Sequence, residues 1–292
     1  MPVNMRDLRR RIRSIKNTQQ ITKAMEMVSV AKLRRAQEAV SRSRPYAAKI
    51  QEVVASVASN SSARHPMLQS REVKSVGYMV ITSDRGLAGP YNTQVIRYAQ
   101  SLFSGKSHDE IRLFTVGRKG RDYFQRRRYP ITQQITGMSD TPSYAEVAPI
   151  VETIVKMYMD NVYDELYLVY NEFKSALTQV PVAKQILPLT TLSAGEGRTD
   201  AARSSARATY EYEPSEEGVL DELLPRYAQT LIYQALLEAK ASEHGSRMKA
   251  MGQAKDNAGA MVAQLTLSLN RARQAAITTQ IAEIVGGAEA LK

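Results

Sequence analysis

Apolar residues recur at every third or fourth position over the first part of the chain, which is the spacing of one face of an α-helix. Residues 4–57 contain one proline, Pro45, and no glycine. The pattern therefore predicts one uninterrupted helix of roughly 50 residues, about 75 to 80 Å long at the rise of an α-helix. We assign residues 1–57 to this N-terminal coiled-coil helix.

The apolar stripe of this helix has two sections, each spaced by four and then three residues. A slip of one position separates them and predicts a stutter, which is a local change in the supercoil of a coiled coil. The stripe consists of Leu8, Ile12 and Ile15, followed by Ile21, Met25 and Val28. All but Met25 are predicted coiled-coil core residues, and Met25 is considered further below.

The middle of the chain, residues 73–190, alternates short β-branched and aromatic runs with helical stretches, after a polar breaker segment at 58–72. The predicted strands are 75–82, 111–116, 131–136, 165–170 and 181–189. The predicted helices are 92–103, 118–128 and 143–160, the last starting with a capping box of Ser143 and Glu146. This alternation predicts an inserted α/β domain with a mostly parallel, Rossmann-like sheet.

The last part of the chain, residues 216–292, again has the pattern of one long helix, with Pro225 near its start. In a heptad frame, mainly small or flexible residues occupy the core positions a and d. These are Met248, Met251, Lys255, Ala258, Val262, Leu265, Leu269, Ala272 and Ala276. Three glycines share one flanking position: Gly245, Gly252 and Gly259. They indicate either close approach of another backbone or simple tolerance of glycine in a long helix.

Residues 191–215, between the α/β domain and the second long helix, are small and polar and are predicted to form a flexible loop and link. The ends of an inserted domain must bring the two flanking helices side by side. The predicted fold class is therefore α/β, with a long antiparallel coiled coil of the N- and C-terminal helices and the α/β domain inserted between them.

Positive charge is concentrated at the start of the chain. The first 50 residues contain 13 Lys or Arg and three acidic residues, whereas the whole chain has a net charge of +11. A basic helix suggests nucleic acid, an anionic membrane surface or an acidic protein as a partner. A solvated helix face is the alternative.

The chain has no Cys and three His, which excludes a disulfide framework and makes metal or redox chemistry unexpected. His65, His108 and His244 lie far apart in sequence and are expected at the surface. No run of about 18 apolar residues occurs, and the basic start lacks the apolar region of a secretory signal. We therefore expect a soluble protein made inside a cell.

The segment at 81–92, "ITSDRGLAGPYN", lies between a predicted strand and a predicted helix, where phosphate-binding loops occur. It contains neither of the glycine-rich phosphate-binding motifs. We expect instead a tight turn in which Asp84 is a cap and Gly86 and Gly89 supply unusual backbone angles. No catalytic motif is visible, so the sequence predicts no catalytic, cofactor or metal site.

Four stretches of the chain resemble the gamma subunit of bacterial F-type ATP synthases. They are residues 17–37, 81–89, 241–258 and 270–291. The C-terminal family pattern, I-T-x-E-x-x-E-x-x-x-G-A, is met at Ile277, Thr278, Glu283, Gly287 and Ala288. It fails at Gln280, where a Glu is usual in the family.

The resemblance implies a central rotor shaft of a proton- or sodium-translocating ATP synthase, a subunit without a catalytic site of its own. Its partners would be three alpha and three beta subunits, the epsilon subunit and the membrane ring of c subunits, with neither nucleic acid nor a small-molecule substrate. Its location would be peripheral, on the cytoplasmic face of the cell membrane. The last turns of the second helix would then extend beyond the first helix into a bearing made by other subunits.

The same resemblance implies roles for individual residues. Met25 would face a lever of a beta subunit, and Arg273, Gln274 and Thr278 would meet a loop of the catalytic ring. Tyr210 and Tyr212 would dock on the membrane ring as part of the foot.

Alternatives to these roles stay open at the level of sequence. Met25 could be only a coiled-coil core residue, because its position in the stripe requires an apolar group in either case. A basic coiled coil projecting from an α/β domain could bind nucleic acid through phosphate contacts, and a purely structural scaffold would form homodimers.

Overall fold

The computed structural model describes residues 5–60, 65–176, 178–189 and 216–290. Its α-helices are α1 (Met5–Asn60), α2 (Tyr91–Phe103), α3 (Arg118–Arg126), α4 (Tyr144–Met159) and α5 (Glu216–Ala290). Its strands are β1 (Val76–Ile81), β2 (Ile111–Val116), β3 (Ile131–Ile135), β4 (Glu165–Phe173) and β5 (Gln179–Leu187). Two short 3-10 turns occur at Pro66–Leu68 and His108–Glu110. The predicted loop at 191–215 lies outside the described residues.

The chain divides into two compact units, and the division differs from the predicted domain boundaries. Met1–Ser29 and Arg247–Lys292 form one unit, called the coil unit below, and Val30–Ser246 form the other, the sheet unit. The boundary falls within α1 and α5 rather than at their ends. The reason is that parts of both helices supply core residues to the sheet unit, including Val54 of α1 and Leu236 of α5.

The sheet has the strand order β3-β2-β1-β4-β5. The pairs β1–β2, β1–β4 and β2–β3 are parallel, and β4–β5 is antiparallel. This confirms the predicted mostly parallel α/β sheet. All six residues of β1 are buried, as expected for a central parallel strand whose two faces are both covered.

Each face of the sheet has its own apolar core, because alternate strand residues point to opposite faces. One core joins Met79, Phe114 and Leu168 of the strands to α4, to residues 50–57 of α1 and to residues 220–239 of α5. The other joins Tyr78, Val80 and Leu113 to α2 and to Phe124 of α3. The sheet is thus the layer between α2 and α3 on one side and the long helices with α4 on the other.

Helix α4 begins with the predicted cap in part. The Ser143 side chain accepts a hydrogen bond from the Glu146 backbone N–H at 3.2 Å. The Glu146 carboxylate accepts instead from the Ser139 backbone N–H at 3.3 Å, which ties the preceding loop to the helix start.

Candidate partner-contact surfaces

A regular series of positions on α1 faces inward within the coil unit, spaced alternately by four and three residues. They are Leu8, Ile12, Ile15, Gln19, Thr22, Glu26 and Ser29, all buried or half-buried. The spacing does not slip, so the predicted stutter is absent here. Ile21 and Val28, predicted as core residues, are 60% and 55% exposed. That prediction was wrong because it assumed that core positions must be apolar.

Three of the four polar residues of this seam make side-chain hydrogen bonds. Thr22 donates to the Gln19 carbonyl at 3.0 Å, and Ser29 donates to the Met25 carbonyl at 2.7 Å. Glu26 accepts from the Lys255 ammonium of α5 at 2.9 Å. The hydrogen bond to Glu26 raises the pKa of Lys255 despite the opposing effect of desolvation. Polar groups can therefore occupy the seam without remaining unpaired.

Helix α5 presents the complementary series to α1. Every position of the predicted heptad frame from Met248 to Ala276 is buried or half-buried. A Cβ added to Gly252 would lie 3.1 Å from Glu26 Oε1, and one added to Gly259 would lie 2.9 Å from Gln19 Nε2. These two glycines leave room for the ends of polar side chains rather than for a second backbone. The pairing of 19 with 259 and of 26 with 252 is antiparallel.

The outward side of α1 in the coil unit carries an apolar stripe, here called the outer stripe, formed by Ile21, Met27 and Val28. All three side chains are more than half exposed. Met25 is half-buried and lies next in sequence to the seam residue Glu26. This part of α1 buries Gln and Glu and exposes Ile and Val. An exposed apolar face of this kind is typical of a surface that binds a partner.

A basic depression of about 380 Å³ lies near the start of α1 in the coil unit. Arg9, Arg13 and Lys16 line it together with Asn17 and Gln20. Ile12 and Leu269 form its apolar part. Three of the 13 basic residues among the first 50 therefore line a surface where an acidic group could bind.

The last turns of α5 are exposed in the part of the chain that the structure describes. Ala276 is the last half-buried residue, and every side chain described from residue 277 to 288 is exposed. Ile277, Ile281 and Ile284 recur at spacings of four and three, and Ile284 is 72% exposed. Residues at this spacing lie on one face of a helix, so α5 ends in a second apolar stripe, the terminal stripe.

The predicted ring-contact residues of α5 lie at the start of this segment. Arg273, Gln274 and Thr278 are all exposed, as is Gln280. The Thr278 hydroxyl donates to the Gln274 carbonyl at 3.0 Å, so its polar group is directed to its own helix. The predicted foot residues Tyr210 and Tyr212 lie outside the described residues.

The loop after β1 is bonded to the start of α3 and to the loop after β3. Asp84 accepts from the Arg118 backbone N–H at 3.1 Å and from the Gly137 backbone N–H at 3.0 Å. The start of α3 is thereby occupied by a carboxylate, which leaves it unsuited to a phosphate. Gly89 has a positive φ of 55°, as expected. The other residue of this loop with a positive φ is Leu87, at 62°, whereas Gly86 was expected.

The three histidines differ in environment, and two correct the prediction that they lie at the surface. His65 is 8% exposed and His244 is 1% exposed. The His65 ring accepts from the Met67 backbone N–H at 3.1 Å and lies 3.2 Å from an Asp221 oxygen. Burial lowers the pKa of His65, while the nearby Asp221 opposes this shift. The residues next to these histidines in the sequence do not indicate that tertiary packing buries the two rings.

Neither a metal-binding cluster nor a helix able to span a membrane occurs in the parts of the chain that the structure describes. These residues contain no group of three or more His, Cys, Asp or Glu placed to hold a metal ion. Among the same residues, none of the helices has a stretch long and apolar enough to cross a membrane.

Comparison with known proteins gives one consistent result. A family model described as ATP synthase matches residues 4–291. The ATP synthase gamma chain of Brevibacillus brevis is 53% identical, over 99% of each chain. That of Heliobacterium modesticaldum is 52% identical, over 98% of this chain and 99% of the relative.

Solved structures agree. The central stalk and c-ring structure of Tetrahymena thermophila mitochondrial ATP synthase contains a chain that is 27% identical, with a TM-score of 0.63. The match covers 80% of this chain and 99% of that one. A chain from Euglena gracilis mitochondrial ATP synthase, 19% identical, has the same fold with a TM-score of 0.69 over 98% of this chain and 94% of that one.

Proposed function

Because the chain belongs to the ATP synthase gamma-chain family, we propose that its outer and terminal stripes are the surfaces that contact the catalytic subunits. Members of this family are rotor shafts of ATP synthase, and the chain is a non-catalytic subunit of that complex. Catalysis takes place on the beta subunits. This function replaces two alternatives, a nucleic-acid-binding protein with a basic coiled coil and a purely structural coiled-coil scaffold.

The observation that carries the proposal is that both stripes are exposed while the seam between the helices is partly polar. Burying apolar surface stabilises a complex by roughly 25 cal/mol per Å². The chain itself leaves Ile21, Val28 and Ile284 in water, so a sleeve around the coil unit has apolar surface to bury. An apolar contact has no preferred direction, which suits a shaft that turns within its partner.

Coupling requires that the shaft contact the catalytic subunits unequally. A partner shifts a conformational equilibrium only by its different free energy of interaction with the two states. We propose that Met25 contacts a beta-subunit lever, and that Arg273, Gln274 and Thr278 contact a loop of the ring. Because these side chains lie on particular faces of α1 and α5, each rotation angle presents them to a different subunit.

The basic depression adds a weaker and longer-ranged contribution. Arg9, Arg13 and Lys16 would attract acidic levers of the ring at several rotation angles, because charge attraction does not require one geometry. Such exposed charges contribute more to the rate of assembly than to its final affinity.

The partners of the chain are other subunits of ATP synthase. In finer detail, we propose three alpha and three beta subunits around the coil unit, with the epsilon subunit and the c-ring at the other end. Tyr210 and Tyr212 would belong to the surface that docks on the c-ring. The proposed location is peripheral, on the cytoplasmic face of the cell membrane.

Reconstitution tests this proposal. The full chain should show no ATPase activity alone, and with purified alpha and beta subunits it should form a 1:3:3 complex that hydrolyses ATP. Met25→Lys should lower the number of ions pumped per ATP while assembly survives, whereas Lys106→Glu on the sheet unit serves as a charge-changing control. A stable complex of another stoichiometry, or none, would contradict the proposal.

A further inference from the structure

Helix α5 is enclosed on all sides over one short stretch of the sheet unit. Every residue from Ala239 to Ser246 is buried, and this stretch is called the enclosed segment below. A helix buried all round is usually apolar all round. Here five of the eight residues are polar: Lys240, Ser242, Glu243, His244 and Ser246. Buried polar side chains cost free energy unless they are paired, so their contacts indicate what they do.

The start of α2 holds the first side of the segment. The buried Tyr91 hydroxyl donates to the Ala239 carbonyl at 3.1 Å. Asn171 of β4 donates to the Tyr91 carbonyl at 3.0 Å and so ties that residue to the sheet. The backbone of α5 at Ala239 is thereby linked through Tyr91 to strand β4.

The turn between β4 and β5 holds the second side. Ser246 donates to Gln179 Oε1 at 2.9 Å. The Gln179 amide nitrogen donates in turn to the carbonyls of Ser175 and Ala176, at 3.0 and 3.1 Å, which fixes the direction of its oxygen. Gly245 permits this approach, because a Cβ there would lie 3.3 Å from the Ala176 carbonyl oxygen.

The loop before α4 and strand β4 hold the remaining sides. His244 Nε2 lies 3.4 Å from Asp140 Oδ1, and the Lys32 ammonium of α1 lies 2.6 Å from Asp140 Oδ2. Just before the segment, the Tyr170 hydroxyl donates to Glu238 at 3.0 Å. Contacts from α2, β4, β5 and this loop therefore surround about two turns of α5.

The strength of these polar contacts depends on their angle, whereas apolar packing around the helix would be non-directional. Successive residues of an α-helix are rotated by about 100°, so turning the helix by one residue would break the bonds of Ser246 and Ala239 together. An apolar collar of equal volume would hold the helix with a weaker preference for one angle. Buried polar contacts of this kind can specify one arrangement among several.

We propose that the enclosed segment is the site at which torque passes between the α/β domain and the shaft. Its polar contacts lock the rotational angle of α5 in the sheet unit, and α5 itself continues beyond Ser246 into the coil unit. The proposal rests on the rotor function. In these terms Gln179, Asp140 and Tyr91 are positioning residues, because they fix the helix that acts on the catalytic subunits.

A pair of serines in the segment allows a matched test. Ser242 and Ser246 both belong to the enclosed segment, and both are buried. The Ser242 hydroxyl has no hydrogen-bond partner among the described residues, whereas Ser246 is bonded to Gln179. Ser242→Ala and Ser246→Ala thus remove the same hydroxyl group, and only the second change removes a hydrogen bond to Gln179.

The experiment uses the full chain assembled with alpha and beta subunits that are fixed to a surface. A magnetic bead is attached to Lys106→Cys on the sheet unit, which is the only cysteine introduced into a chain that has none. The bead is held against ATP-driven rotation, and the torque at which it slips is recorded for each variant. The variants are Ser242→Ala, Ser246→Ala and Asp140→Asn.

We expect wild-type slipping torque for Ser242→Ala and a torque lower by roughly half for Ser246→Ala, since only the second change removes the hydrogen bond to Gln179. Asp140→Asn, which keeps the shape of the side chain, should also lower it. ATP hydrolysis without load should stay unchanged in all three. Equal slipping torque in Ser246→Ala and Ser242→Ala would overturn the inference, whether both keep the wild-type torque or both lose part of it. A wild-type chain that fails to assemble would instead overturn the proposed rotor function.

Discussion

Two isoleucines of α1 offer a direct test of the uninterrupted seam. Ile15 is half-buried against α5 and Ile21 is 60% exposed, although both belong to the apolar stripe read from the sequence. Truncating each to Ala removes the same atoms from the same helix. A stutter that placed both in the core would make the two changes equally costly.

The expected cost follows from burial. Ile→Ala at a fully buried site costs about 2 to 5 kcal/mol, so a half-buried site should cost about 1 to 3 kcal/mol. Ala is the better helix former by about 0.4 kcal/mol, which offsets part of this cost. We therefore expect Ile15→Ala to lower the free energy of unfolding of the coil unit by about 1 to 2 kcal/mol. Ile21→Ala should change it by less than about 0.5 kcal/mol, since most of its side chain is already in water.

Hydrogen exchange of the full chain, followed by mass spectrometry of peptides from residues 5–29, measures this difference locally. Local measurement is preferable because two compact units need not unfold together. Amide protection in these peptides should fall for Ile15→Ala and remain near wild type for Ile21→Ala. Equal losses of protection would refute the uninterrupted seam and restore the stutter.

Three further outcomes are expected. Replacing Arg273 and Gln274 together by Ala should lower coupled turnover of the reconstituted complex at unchanged helicity by circular dichroism; parallel losses would indicate a structural role. Asp84→Ala should cost about 2 kcal/mol in urea unfolding, because two backbone N–H groups lose their acceptor, and a cost near zero would contradict the cap. Burial opposes ionisation of Asp140, but Lys32 and His244 outweigh it and lower its pKa. Its contribution to stability is therefore present above about pH 4 and lost as the pH falls further; Asp140→Asn should remove that dependence from acid unfolding curves.

Local sequence patterns predicted the α/β domain well because its strands are β-branched and aromatic runs. The segment 111–116 was predicted as a strand and is β2 with those bounds. The strand order β3-β2-β1-β4-β5 could not be read in the same way, because it depends on where each connection crosses the sheet. Similarly, the burial of His244 results from a loop more than 100 residues earlier in the chain, which no local pattern indicates.

The contact surfaces were predictable only in part. The heptad frame from Met248 gave the inward series of α5, since small and apolar residues repeat there without a break. On α1 the same rule selected Ile21 and Val28, because it treats every apolar position as core. The glycines at 252 and 259 could have indicated the polar seam positions, because the side chains of Glu26 and Gln19 of the other helix pack against them.

A shaft with this arrangement has exposed apolar surface that a partner can bury, and it has polar groups within the seam where the two helices meet. The hydrophobic effect then contributes less to the pairing of α1 with α5 than in an ordinary coiled coil, and more to assembly with a surrounding ring. Register within the coil depends instead on a few directional contacts, such as Glu26 with Lys255. The same division occurs in the sheet unit, where polar bonds to Ala239 and Ser246 fix the angle of α5. In the proposed arrangement, directional hydrogen bonds fix the parts of the chain that do not turn against each other, and the apolar stripes face the subunits within which the shaft turns.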